Sequence, residues 1–313
     1  MAKENRKFGK AFWIISPLLT IIIIVGIISY FHFDEKIKEK IKKNKEIDEN
    51  IISKYDVLGE REKELREIIE EKTKYDNLEE KLNNLKAEYP KTIKKLEDNI
   101  ISGKSSAKIA YLTFDDGPYY NTYKVLDILD KYNVKATFFT TSINGEYCYD
   151  NKKENCLKLY KEYVKRGHTI ANHTYTHGIF KGLYNSTDSF MDAIIKQENQ
   201  VKTQTGGYVT NIMRFPGGSN TAGKLKSSII EALRKRGYGW VDWSAGDGDG
   251  GNLTSKTQAW NNLKPRIDSN IEVILFHDYS PITTAILPEV IEYLQNRGYI
   301  LLPLFYESNM INK

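Results

Sequence analysis

Apolar residues are distributed differently along three consecutive parts of the chain. Residues 11–31 read AFWIISPLLTIIIIVGIISYF, a run of 21 residues without a charged side chain. Residues 33–106 mix charged and apolar positions at helical spacing. From residue 107 onward, short apolar runs typical of buried strands alternate with amphipathic stretches typical of helices. The pattern predicts a transmembrane helix, a helical spacer and a folded α/β domain.

The apolar run is long enough to cross a bilayer as a helix, which takes about 20 residues. The apolar part of a secretory signal peptide is shorter, about 7–15 residues, and ends at a small-residue cleavage site that this chain lacks. Residues 1–10 carry four basic residues and one acidic residue, which favours a cytoplasmic amino terminus. We expect a cytoplasmic tail over 1–10, a single-pass anchor in the cell membrane over 11–32 and an extracellular remainder. A cleaved signal peptide is the alternative.

Residues 33–106 contain 18 basic and 19 acidic residues, so the segment is strongly charged but almost neutral. Heptad-like spacing connects Tyr75, Leu78, Leu82, Leu85 and Tyr89. The pattern predicts a solvated helical stalk, with a coiled coil that joins two copies into a homodimer as the alternative. Residues 102–106 (SGKSS) are expected to link this segment to the next domain.

Residues 107–313 contain seven strand candidates that alternate with helical patterns. The candidates are Ile109–Phe114, Ala136–Thr140, His168–Ala171, Ile212–Phe215, Tyr238–Trp243, Val273–Phe276 and Ile300–Leu304. Two helical patterns end at Gly237 and Gly298, which we expect to adopt left-handed backbone as helix caps. Such an alternation favours a parallel sheet or barrel, whose functional groups gather at the carboxyl ends of its strands.

Polar clusters follow several of these predicted strands. They are TFDDGP (113–118), NHTYTH (172–177), RFPGG (214–218), VDW (241–243) and HD (277–278). His173 and His177, together with one carboxylate, form a mixed set suited to Zn²⁺. Adjacent strand residues point to opposite faces, so one of Asp115 and Asp116 is expected to bind metal while the other acts as a base.

Composition and charge restrict the alternatives. The net charge is +5, and no segment has the basic excess that neutralises phosphates, so nucleic-acid binding is not expected. Two cysteines in 313 residues exclude a disulfide-built scaffold and a thiolate zinc ribbon. Cys148 and Cys156 would close a short loop in an oxidising location, so we expect a disulfide between them, with two free thiols as the alternative.

Two polar features are interpreted as structural. His168 stands at the start of its predicted strand, away from the expected mouth of the site. Residues 247–252 (DGDGGN) resemble the start of a calcium loop but lack its glycine at the sixth position, Asn252, and its glutamate at the twelfth, Gln258. We expect a glycine-rich loop that flanks the site.

In order and spacing, TFDDG (113–117), HTYTH (173–177), RFPGG (214–218), VDW (241–243) and LFH (275–277) resemble the five motifs of the polysaccharide deacetylases. This is the NodB-homology group, or carbohydrate esterase family 4. The resemblance covers residues 107–305. It implies an α/β fold, a deformed and incomplete (β/α)7–8 barrel, and metal-dependent removal of acetyl groups from N-acetylated sugars. The implied cofactor is Zn²⁺ or another divalent metal such as Co²⁺ or Mn²⁺.

The resemblance also implies how the first two motifs are used. Asp115 is similar to the general base of the family. Asp116, His173 and His177 are similar to its metal ligands. Thr174 matches the residue that braces the histidine loop.

The later motifs resemble the remainder of the family's catalytic apparatus. Arg214 would orient the Asp115 carboxylate, and Asp242 would tune His277, the general acid. Trp243 and Leu275 would line the pocket for the acetyl methyl group.

The chain departs from the family pattern in its third and fourth motifs. Gly217 stands where Tyr or Phe is usual, so its backbone N–H remains to stabilise an oxyanion while an aromatic wall of the groove is lost. Gly239 stands where Asp is usual. The RFPGG motif also lacks the second arginine of family members that act on muramic acid, which favours N-acetylglucosamine.

These expectations combine into one function. The anchor and spacer would hold the active site outside the membrane, where cell-wall glycan lies. We therefore expect an enzyme that removes acetyl groups from N-acetylglucosamine of peptidoglycan and releases acetate. The alternative substrate is an exopolysaccharide such as poly-N-acetylglucosamine, and the alternative class is a non-catalytic wall-binding scaffold.

Overall fold

The computed structural model of the chain describes residues 93–147, 156–208 and 210–304. The expected anchor, most of the expected stalk and Cys148 lie outside the described residues. Among the helices that are described, none is long and apolar enough to cross a membrane.

The described ranges fold into alternating strands and helices. The strands are β1 (Lys108–Asp115), β2 (Thr137–Thr140), β3 (Thr169–Asn172), β4 (Ile212–Met213), β5 (Gly239–Trp240), β6 (Ala245–Gly246), β7 (Ile271–His277) and β8 (Tyr299–Leu301). The helices are α1 (93–101), α2 (Thr122–Lys131), α3 (Ser142–Tyr147), α4 (Leu159–Lys165), α5 (Thr187–Thr205), α6 (Lys226–Lys235), α7 (Lys256–Leu263) and α8 (Pro281–Asn296). Short 3₁₀ helices lie at Cys156–Lys158, Ile179–Lys181, Ser219–Leu225 and Lys264–Arg266.

The strands form one parallel sheet in the order β5-β4-β3-β2-β1-β7-β6, and β8 pairs with the start of β1. Residues 241–244 connect β5 to β6, which stand at opposite ends of this order. The sheet is therefore curled, because its two edge strands lie close enough for four residues to connect them. This confirms the expected parallel α/β fold, in the form of a curled, incomplete barrel.

The central strand β1 shows how the sequence specifies two packed layers. Ala110, Leu112 and Phe114 belong to the core between the sheet and its helices. Ile109 and Tyr111 belong to the cluster on the inner face of the curled sheet. Parallel strands covered on both faces are largely apolar, as β1 is between Ile109 and Phe114. Because side chains alternate along a strand, β1 directs its last residue, Asp115, toward the inner face.

The principal helical patterns in the sequence correspond to helices α2, α5, α6 and α8 of the structure. Gly237 follows α6 with a φ of 79°, and Gly298 follows α8 with a φ of 80°. Both glycines adopt the left-handed backbone expected of helix caps.

The predicted fifth strand, Tyr238–Trp243, differs from the structure. Strand β5 covers only Gly239–Trp240, and a further strand, β6, follows at Ala245–Gly246. Between them, the carbonyls of Val241 and Asp242 accept hydrogen bonds from the Arg214 side chain. In a continuous strand these carbonyls would accept hydrogen bonds from a neighbouring strand. Because the buried arginine binds them instead, β5 ends at Trp240.

Residues 93–101 are helical and belong to the folded domain. Ile93 and Ile100 are buried in the inner-face cluster together with Val273. Glu97 is buried as well, and the Tyr111 hydroxyl donates a hydrogen bond to its carboxylate. The domain therefore includes residues that precede its expected start at residue 107.

Candidate active site

The ends of four strands bring the predicted catalytic groups together. Strand β1 ends at Asp115, which pairs in register with His277 at the end of β7. The loop after β3 carries His173 and His177, and Arg214 directly follows β4. The carboxyl ends of parallel strands meet at one edge of a sheet, which explains why segments distant in sequence form one site.

The two neighbouring aspartates both reach one imidazole. His173 Nε2 lies 3.6 Å from Asp115 Oδ2 and 3.6 Å from Asp116 Oδ1. The expectation that the two carboxylates point apart is wrong, because Asp116 lies beyond the end of β1 and has a φ of 72°. The left-handed backbone turns its carboxylate back toward the site.

Asp116, His173 and His177 form a possible metal site. Their candidate ligand atoms all lie within 4.8 Å of one another. Asp116 Oδ1 lies 3.6 Å from Nε2 of each histidine, and it is a buried atom that has no hydrogen-bond partner among the described residues. A buried carboxylate oxygen in this state is unfavourable unless a cation binds it. The three residues therefore fit a divalent metal, with coordination positions left for water and substrate.

Hydrogen bonds fix the orientation of the histidine loop. His173 Nδ1 lies 2.8 Å from the Arg214 carbonyl, which leaves Nε2 facing Asp116. Thr174 Oγ1 accepts a hydrogen bond of 3.2 Å from the His177 amide. Burial lowers the pKa of His173 well below its usual value, so this imidazole is neutral, as a metal ligand must be.

Asp115 is held by a buried arginine. Arg214 Nη1 donates to Asp115 Oδ1 at 2.8 Å and to Thr113 Oγ1 at 2.8 Å. Burial raises the pKa of Asp115 to about 6, against the opposing charge of Arg214. Arg214 therefore occupies one carboxylate oxygen and leaves Oδ2 facing His173.

His277 is paired with Asp249. Its Nδ1 lies 2.7 Å from Asp249 Oδ1, and its backbone N–H donates to Asp249 Oδ2 at 2.7 Å. Burial opposes protonation of His277, but the hydrogen bond and charge of Asp249, helped by Asp116 and Asp115, raise its pKa to about 9. Such an imidazole carries a proton at neutral pH.

The expectation that Asp242 tunes His277 is wrong. Both carboxylate oxygens of Asp242 accept hydrogen bonds from Ser219, at 2.9 Å from its amide and 2.7 Å from its hydroxyl. Asp242 lies where the chain crosses between the ends of the sheet, beside the loop after β4. Asp249 follows β6, which pairs with β7, and this places it beside His277.

Asp249 is the partner of His277 that the sequence motifs did not reveal. It lies in the loop that was expected only to flank the site, and it follows a strand too short to give an apolar run. The signal present in the sequence was the glycine-rich composition of that loop. A Cβ atom on Gly250 would come within 2.9 Å of His277 Cε1, so the chain needs glycine to pass this close to the imidazole.

Trp243 and Leu275, which were expected to line the pocket for the acetyl methyl group, lie at one cavity with His277. Together with His277 they line a cavity of about 440 Å³, whose other wall consists mainly of small residues between Ala245 and Gly251. Gly217 is exposed with a φ of 74°, and its carbonyl accepts a hydrogen bond from Thr221.

His168 and Cys156, which also entered the sequence predictions, lie outside the cluster formed by the strand ends. His168 is buried and its Nδ1 accepts a hydrogen bond of 3.1 Å from the Ala136 amide, which confirms a structural role. Cys156 is buried at the start of a 3₁₀ helix. Because Cys148 lies outside the described residues, the pairing of these cysteines stays a prediction.

A possible metal triad, an arginine-held carboxylate and a carboxylate-paired histidine at one sheet edge define a hydrolytic site. The family model described as polysaccharide deacetylase matches residues 102–239. A peptidoglycan-N-acetylglucosamine deacetylase of Bacillus cereus is 30% identical over 216 residues, which are 67% of this chain and 72% of that protein. This chain therefore belongs to the polysaccharide deacetylase family.

Further similarities support this assignment. A putative polysaccharide deacetylase of Bacillus subtilis, YheN, is 32% identical over 197 residues, which are 61% of this chain and 65% of YheN, just under two thirds of that relative. The crystal structure of the catalytic domain of a peptidoglycan N-acetylglucosamine deacetylase from Eubacterium rectale matches with a TM-score of 0.59 and 34% identity. That match covers 66% of this chain and 92% of the other.

Proposed function

We propose that this protein removes acetyl groups from N-acetylglucosamine residues of peptidoglycan in a reaction that depends on a divalent metal, Zn²⁺ being our choice. The observation that carries the proposal is Asp116 Oδ1, a buried oxygen that has no hydrogen-bond partner among the described residues. It faces the imidazoles of His173 and His177. The Asp115–Arg214 and His277–Asp249 pairs lie beside it. The names of the relatives from Bacillus cereus and Eubacterium rectale support the same substrate.

Asp115 is placed to act as the general base. A metal held by Asp116, His173 and His177 would polarise the amide carbonyl and lower the pKa of a bound water. Arg214 holds Asp115 Oδ1, so Oδ2 remains to accept a proton from the attacking water. With its pKa near 6, Asp115 is ionised at neutral pH and ready to accept that proton.

His277 is placed to act as the general acid. Its Nδ1 faces Asp249, and its Nε2 lies 3.9 Å from Asp116 Oδ2 and so faces the site. An amine anion is a very poor leaving group, so the departing nitrogen must receive a proton as its bond to carbon breaks. The protonated imidazole supplies it from Nε2, and the products are acetate and a glucosamine residue.

The choice of sugar rests on the third motif and on the relatives. RFPGG contains one arginine, Arg214, which is occupied by Asp115 and by backbone carbonyls. It is therefore not available to a carboxylate such as that of muramic acid. A relative named as a peptidoglycan-N-acetylmuramic acid deacetylase, from Bacillus subtilis, is 28% identical to this chain, so the two sugars must be compared directly.

The location of the enzyme is part of the same proposal. The apolar run 11–31 behind a basic amino terminus supports a single-pass anchor that exposes the catalytic domain to the cell wall. After cell fractionation, the full chain should remain in the membrane pellet through an alkaline wash. Release into the wash would contradict the anchor and leave the deacetylase activity unaffected.

Acetate release tests the proposed reaction. The full chain, supplied with Zn²⁺, should release acetate from purified peptidoglycan, and a chelator should abolish the release. Asp115→Asn should lower kcat by at least about 100-fold, because the amide cannot accept the proton. Asp192→Asn, on the exposed side of α5, is the matched control. Release from soluble N-acetylglucosamine oligomers alone would move the substrate to an exopolysaccharide, and no release from either would contradict the proposal.

A further inference from the structure

A second buried carboxyl group stands behind the His277–Asp249 pair. Thr283, near the start of α8, has its Oγ1 2.6 Å from Asp249 Oδ2 and 2.8 Å from Asp247 Oδ2. Asp247 is fully buried, and Asp249 is only 6% exposed. One hydroxyl group therefore lies between two buried carboxyl groups that come from the same loop.

Counting protons assigns the state of each group. A threonine hydroxyl has one proton to donate, and an ionised carboxylate has none. Asp249 accepts hydrogen bonds at both oxygens from His277, so it is the ionised member of the pair. Thr283 can donate its proton to Asp249, but its contact with Asp247 then needs a donor on the other side. That donor is the Asp247 carboxyl group in its protonated form.

The surroundings of Asp247 favour the same state. Its Oδ1 accepts a hydrogen bond of 3.1 Å from the Asp249 amide, and none of its contacts within the described residues comes from a cationic side chain. The charged groups that face it are Asp249 from its own loop and, beyond Asp249, His277 from β7. Burial and then the charge of Asp249 raise the pKa of Asp247 to about 7.

The backbone is shaped to hold both carboxyl groups against one hydroxyl. Gly248 separates the two aspartates and has a φ of 86°. A Cβ atom at this position would lie 2.7 Å from Asn262 Nδ2, which donates a hydrogen bond to the Asp247 carbonyl. Glycine is therefore favoured where the loop turns back, because other residues rarely adopt this φ.

We propose that Asp247 is a positioning residue that, in its protonated form, donates through Thr283 to Asp249 and so holds the Asp249 carboxylate against His277. The inference rests on the proposed function only in that the reaction uses His277. The hydrogen-bond chain itself is a property of the folded protein.

Two variants of Asp247 show whether the residue acts as a hydrogen-bond donor or as a buried charge. Asparagine can donate from Nδ2 to Thr283 but cannot ionise, whereas leucine is of similar size and cannot donate. In the full chain with Zn²⁺, we expect Asp247→Asn to retain kcat within about 3-fold. Asp247→Leu should lower kcat by about 10-fold or more with little change in KM, since small displacements of catalytic groups have effects of up to about 100-fold. Equal losses in both variants, or no loss in Asp247→Leu, would overturn the proposal.

A matched pair at the hydroxyl gives the same test. Thr283→Ser keeps the donor and Thr283→Val removes it, so only the valine variant should lower kcat. Melting temperatures show whether Asp247→Leu and Thr283→Val still fold. If one of these two variants does not fold, a loss of kcat in Asp247→Asn or Thr283→Ser would still overturn the proposal.

Carbon-13 NMR of the Asp247 carboxyl gives a readout that needs no activity. With the signal assigned by its loss in Asp247→Asn, we expect a protonated carboxyl at pH 6 and a midpoint well above that of an exposed aspartate. A midpoint near 4 would overturn the proposal. A high midpoint in a protein that releases no acetate would instead contradict the proposed function and leave the hydrogen-bond chain in place.

Discussion

Asp242 and Asp249 lie seven residues apart in sequence, but only Asp249 contacts His277 through a hydrogen bond. Asp242 stands in the sequence motif that resembles a catalytic one, but its oxygens bind Ser219 and hold the loop after β4. Asp249 stands in a glycine-rich loop and binds both the ring and the backbone of His277. The raised pKa of His277 therefore depends on Asp249.

Substitution of Asp249 should act on the acid step. Asp249→Asn removes the charge that stabilises the protonated imidazole, so kcat should fall by about 100-fold or more, and the pKa of His277 should fall. Steady-state kinetics and NMR titration of the imidazole measure the two effects. Asp242→Asn should chiefly lower the melting temperature. If Asp242→Asn lowered the pKa of His277 more than Asp249→Asn, the assignment would be incorrect.

Metal binding should depend on the orphaned oxygen of Asp116. Asp116→Asn keeps the size of the side chain but replaces the anionic ligand, so Zn²⁺ affinity should fall by at least about 10-fold, and His177→Ala should have a similar effect. Calorimetric titration of the metal-free protein measures both, with Asp192→Asn as the control. Unchanged affinity in either variant would mean that the metal binds elsewhere.

Asp278 should make the stability of the protein depend on pH. It is fully buried, its Oδ1 has no hydrogen-bond partner among the described residues, and burial raises its pKa to about 7. The folded state thus holds a proton that the unfolded state releases near pH 4, so this contribution to stability is lost as pH rises from about 4 to about 7. Urea unfolding with a chelator present should show a smaller decline in Asp278→Asn. An unchanged decline would show that Asp278 is ionised when folded.

At the level of elements, α1 closes the end of the curled sheet opposite the active site. Its Ile93 and Ile100 complete an apolar cluster that also contains Ile109 at the start of β1. The sequence placed residues 93–101 with the stalk because charged residues surround these two isoleucines. Helical periodicity alone does not distinguish a face that packs on a domain from a face that packs on a second helix.

Two neighbouring isoleucines in α1 test this packing. Ile100 is 8% exposed and Ile101 is 65% exposed. Ile100→Ala should lower the free energy of unfolding by about 2–4 kcal/mol, the usual effect of truncating a buried isoleucine. Ile101→Ala should change it by less than about 0.5 kcal/mol. Equal effects in urea unfolding would show that α1 does not pack on the domain in solution.

Strand length decides which elements the sequence reveals. Strands β1 and β7 have eight and seven residues, are largely apolar and were predicted within two residues of their ends. Strand β6 has only two residues and carries no measurable periodicity, so the sequence did not predict it. The crossing of residues 241–244 depends on the buried guanidinium of Arg214, a tertiary contact that no local pattern encodes.

For the whole molecule, the parallel fold and most of the catalytic cluster follow from the sequence because strand ends meet at one edge of the sheet. Convergence of the strand ends predicted that His173 and His177 meet one carboxylate, which the resemblance to the family implied to be that of Asp116. It did not predict the turn at Asp116, whose left-handed backbone lies just beyond a strand, or the pairing of Asp249, which depends on how the sheet curls. The expected anchor and the heptad-like segment 75–89, for which a homodimer was the alternative to a solvated stalk, lie outside the described residues and stay predictions.

The most direct test of the whole account is to find which sugar loses its acetyl group. Peptidoglycan treated with the full chain and Zn²⁺ can be digested to muropeptides and compared by mass spectrometry with material treated with Asp115→Asn. We expect glucosamine in place of N-acetylglucosamine only after treatment with the wild type, with the muramic acid still acetylated. Deacetylated muramic acid, or muropeptides identical to those from the variant treatment, would contradict the account.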